Sequence, residues 1–347
     1  MLLSLRPDAD EAELAALRAL AAEGGFELRF LDDRRRVAEL VDAVGPHLRS
    51  RVEDLKVVRS ILDPGLTREL HERDGRPDTV VRIGDAIFGG GHASLIAGPC
   101  AVENRDRLVE IALAAARAGA TVLRGGAFKP RTSPHSFQGL GAEGLLLLAE
   151  ARAETGLAIV TEVLDPRDVE LVGATADAFQ IGARSMANAA LLREVGQAGK
   201  PVLLKRGLAA TVREFCLAAE YVLDAGNDQV VLCERGVRGF DRVTRNLLDL
   251  GAVAHLKRAT HLPVIVDPSH AAGRADLVPA LARAGLAVGA DGLIVEAHPR
   301  PDEARSDAPQ AVSLEELAQI ATDARALLAL DGRILAAPRR QLVGKGV

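Results

Sequence analysis

Several features common in other proteins are missing from this chain, and each absence removes a class of function. Its 347 residues include three cysteines, which cannot all pair, so we expect no disulfide framework and a reducing, cytoplasmic setting. No apolar run reaches the roughly 18 residues that cross a bilayer, and the N-terminus, acidic by Asp8, does not resemble a signal peptide. The net charge is -5, so we expect neither a nucleic-acid nor a membrane partner.

Aromatic residues are also scarce, with one tyrosine, eight phenylalanines and no tryptophan. We infer no function from this shortage, because the abundance of Ala, Leu and Arg mostly reflects genome composition. Hydrophobic residues still make up 48% of the chain, which is ample for a buried core. The length suits one large domain together with a smaller one.

Residues 1–78 are predicted to form the smaller domain and residues 79–347 the larger, catalytic one. Segments 2–5, 26–31 and 57–62 have the composition of strands, while 8–23 and 46–55 have that of helices. This order within about 65 residues fits a small α+β sandwich. Residues 74–78 have the composition of a linker, and a β-hairpin is predicted to follow over residues 80–88.

From residue 93 onward, short apolar runs alternate with amphipathic stretches. Eight runs begin, in chain order, near Ser94, Thr121, Ala158, Ala178, Pro201, Gln229, Pro263 and Gly292. Helical patterns lie between them, for example over residues 105–118 and 212–225. Eight strand–helix repeats predict a (β/α)8 TIM barrel, an α/β fold with parallel strands inside and helices outside. A doubly wound open sheet is the alternative, although it would normally have fewer units.

Every one of these runs ends in a polar or metal-ligating side chain. In chain order the ends carry Cys100, Arg124, Glu162, Arg184, Lys205, Arg235, His270 and finally Glu296 with His298. Barrel enzymes place their active sites at the carboxyl ends of the strands. One such residue is often a cap or a surface charge, but eight in phase indicate a catalytic face.

Four residues form a candidate metal site: Cys100, His270, Glu296 and Asp307. A thiolate, an imidazole and two carboxylates suit a divalent transition metal such as Mn, Fe, Co or Zn. Spacing alone is weak evidence because the four residues lie on different loops. Taken singly, Cys100 could be a core thiol and His270 could cap a helix.

A second set consists of cations: Arg124, Lys129, Arg131, Arg184, Lys205, Arg206 and Arg235. Gly125, Gly126 and Pro130 shape the backbone around the first of them. So many cations would repel one another if the site were empty. A multiply charged ligand, together with the carboxylates of Glu162 and Asp267, would neutralise them. Two phosphorylated substrates, one also bearing a carboxylate, would match. Lysine rather than arginine at positions 129 and 205 suggests a proton donor, since lysine pKa values shift readily on burial.

Seven short motifs follow one another along the barrel segment: AGPC (97–100), SFQG (136–139), QIGAR (180–184), LKRG (204–207), CERG (233–236), DPSH (267–270) and VEAH (295–298). Together with residues 124–133 they resemble the type I-beta branch of 3-deoxy-D-arabino-heptulosonate 7-phosphate (DAHP) synthase, over residues 83–330. The N-terminal part resembles the ferredoxin-like domain that some members of this family carry. No segment resembles the chorismate mutase domain that other members have.

The resemblance implies a condensation of phosphoenolpyruvate with D-erythrose 4-phosphate and water. The products would be DAHP and phosphate, in the first step of the shikimate pathway to chorismate and the aromatic amino acids. The resemblance further implies a homotetramer that depends on one divalent metal ion. Residues 1–78 would then serve feedback control by tyrosine or phenylalanine, and the alternative is a stabilising or oligomerising appendage.

The same resemblance implies a role for each matching residue. The carboxylate of phosphoenolpyruvate would face Arg124, Lys129 and Lys205, and its phosphate Arg184 and Arg235. The phosphate of erythrose 4-phosphate would bind Arg131 and Thr132. The metal ligands would be Cys100, His270, Glu296 and Asp307. Lys129 is also the expected acid for the aldehyde oxygen.

Two other functions compete with this one. The first is the related synthase that makes 3-deoxy-D-manno-octulosonate 8-phosphate from arabinose 5-phosphate, whose loop typically resembles Lys-Ala-Asn-Arg-Ser. Here the loop is Lys129-Pro130-Arg131-Thr132-Ser133, and Pro130 leaves less space for the longer sugar. The second is a non-catalytic barrel that senses a phosphorylated metabolite, which would predict missing metal ligands or a missing Lys129.

Overall fold

The chain forms two compact units, Met1–Glu72 and Arg73–Val347. The computed structural model describes residues 2–31, 37–41, 46–61, 69–73, 75–131, 133 and 135–339. The boundary between the units falls just before the predicted linker at 74–78. That the two parts have separate roles remains a prediction.

The first unit has the βαββαβ order of a ferredoxin-like fold, as the resemblance implied. Its antiparallel sheet has the strand order β2-β3-β1-β4, and Leu3, Leu17 and Leu40 lie fully buried in its core. The Asp10 side chain accepts a hydrogen bond from the Glu13 amide and begins the first helix. The elements are β1 (Leu2–Leu5), α1 (Glu11–Gly24), β2 (Glu27–Phe30), β3 (Val37–Val41), α2 (Pro46–Glu53) and β4 (Val58–Ile61).

The second unit is a closed barrel of eight parallel strands, so the prediction of a TIM barrel is confirmed and the open sheet is wrong. Closure comes from the pairing of β14 with β7, in which Gly292 lies opposite Ser94 and Glu296 opposite Gly98. The barrel strands are β7 (His92–Gly98), β8 (Val122–Arg124), β9 (Ala158–Glu162), β10 (Ala178–Ile181), β11 (Val202–Lys205), β12 (Val230–Glu234), β13 (Val264–Val266) and β14 (Gly292–Glu296).

A β-hairpin precedes the barrel and covers its amino end. It consists of β5 (Val81–Ile83) and β6 (Ala86–Phe88), as expected for residues 80–88. The apolar side chains of the hairpin and those of the barrel interior form one buried cluster. The Ser94 hydroxyl ties hairpin to barrel: it accepts a hydrogen bond from the Ile87 amide and donates one to the Ile87 carbonyl.

Helices pack around the strands and bury their apolar faces against them. They are α3 (Arg105–Ala118), α4 (Ala142–Thr155), α5 (Val169–Gly173), α6 (Ala189–Gln197), α7 (Val212–Asp224), α8 (Leu250–Ala259), α9 (Pro268–Ala272), α10 (Val278–Ala287) and α11 (Leu314–Leu330). A short strand, β15 (Ile334–Leu335), pairs with the start of β7. Among the described residues, none of the helices combines the length and apolar character needed to cross a membrane.

Candidate active site at the carboxyl end of the barrel

The carboxyl ends of the strands surround a cavity of about 280 Å³. Most of the residues that line it are polar or charged, which suits an anionic ligand better than an apolar one. The predicted residues among them are Arg124, Lys129, Arg131, Glu162, Arg184, Lys205, Arg235, His270 and Asp307. Thr132, the second residue expected to bind the sugar phosphate, lies outside the described residues.

The four predicted metal ligands come together beside this cavity. One ligand atom from each of Cys100, His270, Glu296 and Asp307 lies within 4.8 Å of all the others. Cys100 follows β7, Glu296 ends β14, and His270 lies on the short helix after β13. Asp307 reaches the cluster from a loop, in the left-handed backbone conformation (φ 52°) that aspartate tolerates better than most residues.

Hydrogen bonds orient these side chains toward a common centre. The Nδ1 atom of His270 lies 2.7 Å from a carboxylate oxygen of Asp267, so it carries the proton and leaves Nε2 with a lone pair. That Nε2 lies 3.3 Å from Glu296 Oε1, a buried oxygen that no described residue hydrogen-bonds. The other oxygen, Oε2, accepts a bond of 2.6 Å from Gln310. Two facing acceptors fit a cation between them, and a carboxylate behind the histidine is typical of metal sites.

Burial and neighbouring charges set the protonation of the cluster. Burial, reinforced by Glu296, raises the pKa of the Cys100 thiol to about 12. The thiol therefore donates a hydrogen bond to Asp307 Oδ2 at 3.0 Å. Burial lowers the pKa of His270 although Asp267 opposes it, which keeps the imidazole neutral. Burial would raise the pKa of Asp307, but the hydrogen bond from Cys100, together with the nearby charges of Arg245 and Lys129, holds it below its usual range.

Arg124 and Lys129 lie between the metal cluster and the cavity. Both contact the carbonyl of Cys100, Arg124 Nη2 at 3.3 Å and Lys129 Nζ at 3.1 Å. Arg124 also lies 3.1 Å from Glu296 Oε1, yet its Nε and Nη1 are buried with no hydrogen-bond partner in the described part of the chain. The backbone permits this packing because position 126 is glycine: a Cβ there would lie 2.4 Å from Lys129 Cδ.

Asp267 connects the cationic set to the metal cluster. Its Oδ2 lies 2.5 Å from Lys205 Nζ and 2.7 Å from His270 Nδ1. Burial would raise its pKa, but the charges of Lys205 and Arg124 and the hydrogen bond from His270 hold it well below the usual range. A charged, fully buried carboxylate thus fixes the orientation of a cavity lysine and of a candidate metal ligand together.

Comparisons with known proteins point to one family. Residues 73–329 match the model of the DAHP synthetase I family. A curated relative, the phospho-2-dehydro-3-deoxyheptonate aldolase of Thermotoga maritima, is 42% identical over 331 residues, which cover 94% of this chain and 97% of the relative. The crystal structure of a DAHP synthase from Thermotoga maritima superposes with a TM-score of 0.79 at 41% identity, covering 96% of this chain and 98% of that one.

This chain belongs to the DAHP synthetase I family. More distant relatives carry another name. The 2-dehydro-3-deoxyphosphooctonate aldolase of Syntrophotalea carbinolica is 34% identical over 261 residues, 70% of this chain and 92% of that protein.

Arg206 does not line the cavity of this family member, contrary to the expectation that all seven cations converge there. It lies 2.8 Å from Glu234 and 3.1 Å from Asp249, and its Nε donates to the carbonyl of Ala210. Successive residues of a strand point to opposite faces, so Arg206 points away from the cavity that Lys205 lines. Its role is to hold neighbouring segments of the barrel together.

His298 likewise lies apart from the metal cluster, although it follows Glu296 by two residues. It is buried, and its Nε2 lies 3.8 Å from Glu103 Oε2. Its Nδ1 accepts a hydrogen bond from the Arg300 amide, which shapes the loop after β14.

The structure also places in the site residues that the sequence pattern did not single out. Arg245 lines the cavity and lies 3.1 Å from Asp307 Oδ1. Gln310 orients Glu296, and Ser306 contacts both Cys100 and Arg131. Arg245 and Ser306 lie on loops and Gln310 ends a short 3-10 helix (Ala308–Gln310), so no strand end marks any of these positions. Gln180, within a quoted motif, lines the cavity beside Glu162.

Proposed function

We propose that this protein condenses phosphoenolpyruvate with D-erythrose 4-phosphate and water to give DAHP and phosphate, the first step of the shikimate pathway. The observation that carries the proposal is the cation-lined cavity directly beside a four-residue cluster with the composition of a metal site. Membership of the DAHP synthetase I family supports it independently.

Phosphoenolpyruvate would occupy the part of this cavity that its predicted cations line. Its carboxylate would bind Arg124, Lys129 and Lys205, and its phosphate Arg184 and Arg235. In support, Arg124 has two buried nitrogen atoms, Nε and Nη1, that donate no hydrogen bond to any described residue. A bound anion would satisfy these donors and relieve the repulsion among the cations. Erythrose 4-phosphate would bind by its phosphate to Arg131 and Thr132.

Cys100, His270, Glu296 and Asp307 would hold one divalent ion, Mn, Fe, Co or Zn, whose binding displaces the thiol proton. When bound, the ion supplies Lewis acidity toward the aldehyde of the sugar phosphate. Asp267 keeps the His270 proton on Nδ1, so that Nε2 is available as a ligand.

Lys129 is our candidate for the proton donor. Carbon 3 of phosphoenolpyruvate attacks the aldehyde carbon, and the Lys129 ammonium donates a proton to the oxygen that becomes the new hydroxyl. Water then adds to the cationic carbon 2 and loses a proton, which balances the proton that Lys129 donated. Phosphate leaves from the tetrahedral intermediate with the proton of the carbon 2 hydroxyl, which becomes the carbonyl of the product. The fixed cations hold both anions in register, which reduces the entropy lost on bringing two substrates together.

An assay with two sugars tests the choice between the named relatives. Phosphoenolpyruvate consumption is followed with erythrose 4-phosphate or with arabinose 5-phosphate, and product identity is checked by mass spectrometry. We expect faster turnover with erythrose 4-phosphate. Preference for arabinose 5-phosphate would favour the octulosonate synthase, the second candidate, which the 34% identical relatives represent. Absence of product with either sugar would favour a non-catalytic sensor.

We further propose that residues 1–78 mediate feedback inhibition by tyrosine or phenylalanine. The ferredoxin-like fold of the first unit supports this, as does the position of the reaction upstream of both amino acids. Deletion of the residues before Thr79 should leave catalysis largely intact and remove the inhibition. A truncated form of the DAHP synthase from Thermotoga maritima, covering 77% of this chain, has been solved, which supports the feasibility of the deletion. Full-length protein that is indifferent to both amino acids would leave a structural role.

Assembly and location complete the proposal. We expect a homotetramer, which light scattering would test, and a cytoplasmic location. The three cysteines are unpaired and buried, which supports a reducing environment.

A further inference from the structure

Ser306 lies between two groups to which we assign different ligands. Its hydroxyl oxygen is 2.5 Å from Arg131 Nη2 and 3.1 Å from Cys100 Sγ. A guanidinium only donates hydrogen bonds, so the hydroxyl accepts from Arg131 and has its own proton to offer the sulfur. With 6% of its surface exposed, Ser306 has little access to water that could replace either partner.

The residues on either side of Ser306 strengthen this connection. The Arg305 guanidinium lies 3.8 Å from the centre of the Phe137 ring. The backbone amide of Arg305 donates a hydrogen bond of 2.7 Å to Glu103 Oε1. Asp307, the next residue, is a candidate metal ligand. A shift of this segment would therefore move a metal ligand and a cation–π contact together.

The loop that carries Arg131 is held by the same segment. Arg131 Nε donates to the carbonyl of Phe137 at 2.8 Å, and the Phe137 ring stacks against Arg305. Two contacts thus join the loop that carries Arg131 and Phe137 to residues 305 and 306, one polar and one aromatic. Neither contact involves the phosphoenolpyruvate cations Arg184 and Arg235.

We propose that Ser306 is a positioning residue that couples the metal cluster to the sugar-phosphate site, so that a divalent ion and erythrose 4-phosphate each bind more tightly when the other is present. The proposal rests on the proposed function, because it assigns the sugar phosphate to Arg131. Coupling of this kind is reciprocal, since both ligands favour the same position of residues 305–307.

The unmodified protein provides the first test. Metal-free full-length protein is titrated with Mn²⁺ by calorimetry, with and without saturating erythrose 4-phosphate and without phosphoenolpyruvate, so that no turnover occurs. We expect the sugar phosphate to tighten Mn²⁺ binding by at least about fivefold, within the usual range of coupling between sites. Equal affinity in both titrations would overturn the proposal without any substitution.

Two substitutions then locate the coupling at the hydroxyl. Ser306→Ala should reduce the effect of the sugar phosphate on Mn²⁺ affinity to below about twofold and raise the KM for erythrose 4-phosphate by about tenfold, the loss of one charged hydrogen bond. The KM for phosphoenolpyruvate should stay unchanged. Ser306→Thr keeps the hydroxyl and should restore both properties. Normal coupling in Ser306→Ala would show that the hydroxyl is not the link.

Failure of this proposal is distinguishable from failure of the proposed function. A protein that makes DAHP but binds Mn²⁺ independently of erythrose 4-phosphate would refute the coupling alone. A protein that makes no DAHP would refute the function, and the inference about Ser306 with it.

Discussion

At its amino end the barrel buries apolar side chains, whereas at its carboxyl end it buries charged ones. Phe88, Ile265 and Ile294 belong to an apolar cluster that the hairpin completes. At or just beyond the carboxyl ends of β8, β13 and β14, Arg124, Asp267 and Glu296 are also buried, with at most 3% of their surface exposed. Burying an apolar group stabilises the fold, whereas burying a charge costs free energy unless a partner compensates it. The amino end therefore supports stability, and the carboxyl end retains charges because its chemistry requires them.

This contrast predicts that substitutions at the two ends affect different measurements. The largest effect on catalysis should follow from removing a candidate metal ligand. We expect Cys100→Ala to lose bound metal and to fall to the background rate while remaining folded, because a ligand is lost without opening the apolar core. Treatment of the unmodified protein with a chelator should likewise remove the metal and the activity, and added Mn²⁺ should restore the activity.

Cys216→Ala is the matched control for this prediction. Cys216 is also buried, but it lies in the middle of α7, remote in sequence from every strand end. The Cys216→Ala protein should bind metal and turn over as the unmodified protein does. A fully active Cys100→Ala protein, or full turnover of the metal-free enzyme, would contradict the metal assignment.

Truncating a side chain at the amino end should give the reverse result. Phe88 is fully buried in the hairpin, so Phe88→Ala should lower the free energy of unfolding by about 3–5 kcal/mol. The kcat/KM of the molecules that remain folded should not change, because the cavity lies at the opposite end. Urea denaturation measures the loss of stability, and assays at low temperature measure kcat/KM. A large loss of kcat/KM in a fully folded Phe88→Ala protein would contradict the independence of the two ends.

The next effect in size concerns Lys129, the proposed proton donor. Lys129→Ala should lower kcat by about a hundredfold or more, whereas phosphoenolpyruvate affinity should fall less because Arg124 and Lys205 remain. Stability should change little. Lys257, whose ammonium lies 2.6 Å from Asp291 near the start of β14, is a suitable control. Lys257→Ala should affect stability rather than kcat. Normal kcat with only weaker binding would reduce Lys129 to an anion anchor.

The smallest effect sharpens the comparison within a single strand. Ile294→Val removes one methylene two residues before the candidate ligand Glu296, and should cost about 1 kcal/mol of unfolding free energy. Metal affinity and kcat should match those of the unmodified protein. A change in Mn²⁺ affinity would show that packing in the apolar layer sets the ligand geometry, and the two ends would then not be independent.

Much of this architecture could be predicted because buried parallel strands leave a simple signal. Each strand is covered on both faces and appears as a continuous apolar run, so the eight starts from Ser94 to Gly292 were visible in the sequence. The polar or metal-ligating residue at the end of each run marked the carboxyl face. The same signal was misleading at Arg206. Because Arg206 is adjacent to Lys205, we expected it to line the cavity, but the alternation of side chains along a strand directs Arg206 toward Glu234 instead.

Loop residues were harder to predict, since their position depends on contacts distant in sequence. Arg245 and Gln310 follow no periodic pattern, and each reaches the site by contacting a residue more than ten positions away. Ser306 approaches Cys100 across 206 positions of sequence. No local pattern encodes such pairings.

By itself, then, the sequence determined the barrel, the family and the set of candidate ligands and cations, because hydrophobic periodicity and local motifs are properties of neighbouring residues. Only the tertiary structure decided which of these side chains share one centre and what orients them. Closing β14 against β7 brings Glu296 beside Gly98 and so close to Cys100. Asp267 then aligns Lys205 with His270, and Ser306 joins Cys100 to Arg131. The physical reason is that hydrogen bonds and ion pairs act over a few ångströms in space, whatever the separation along the chain.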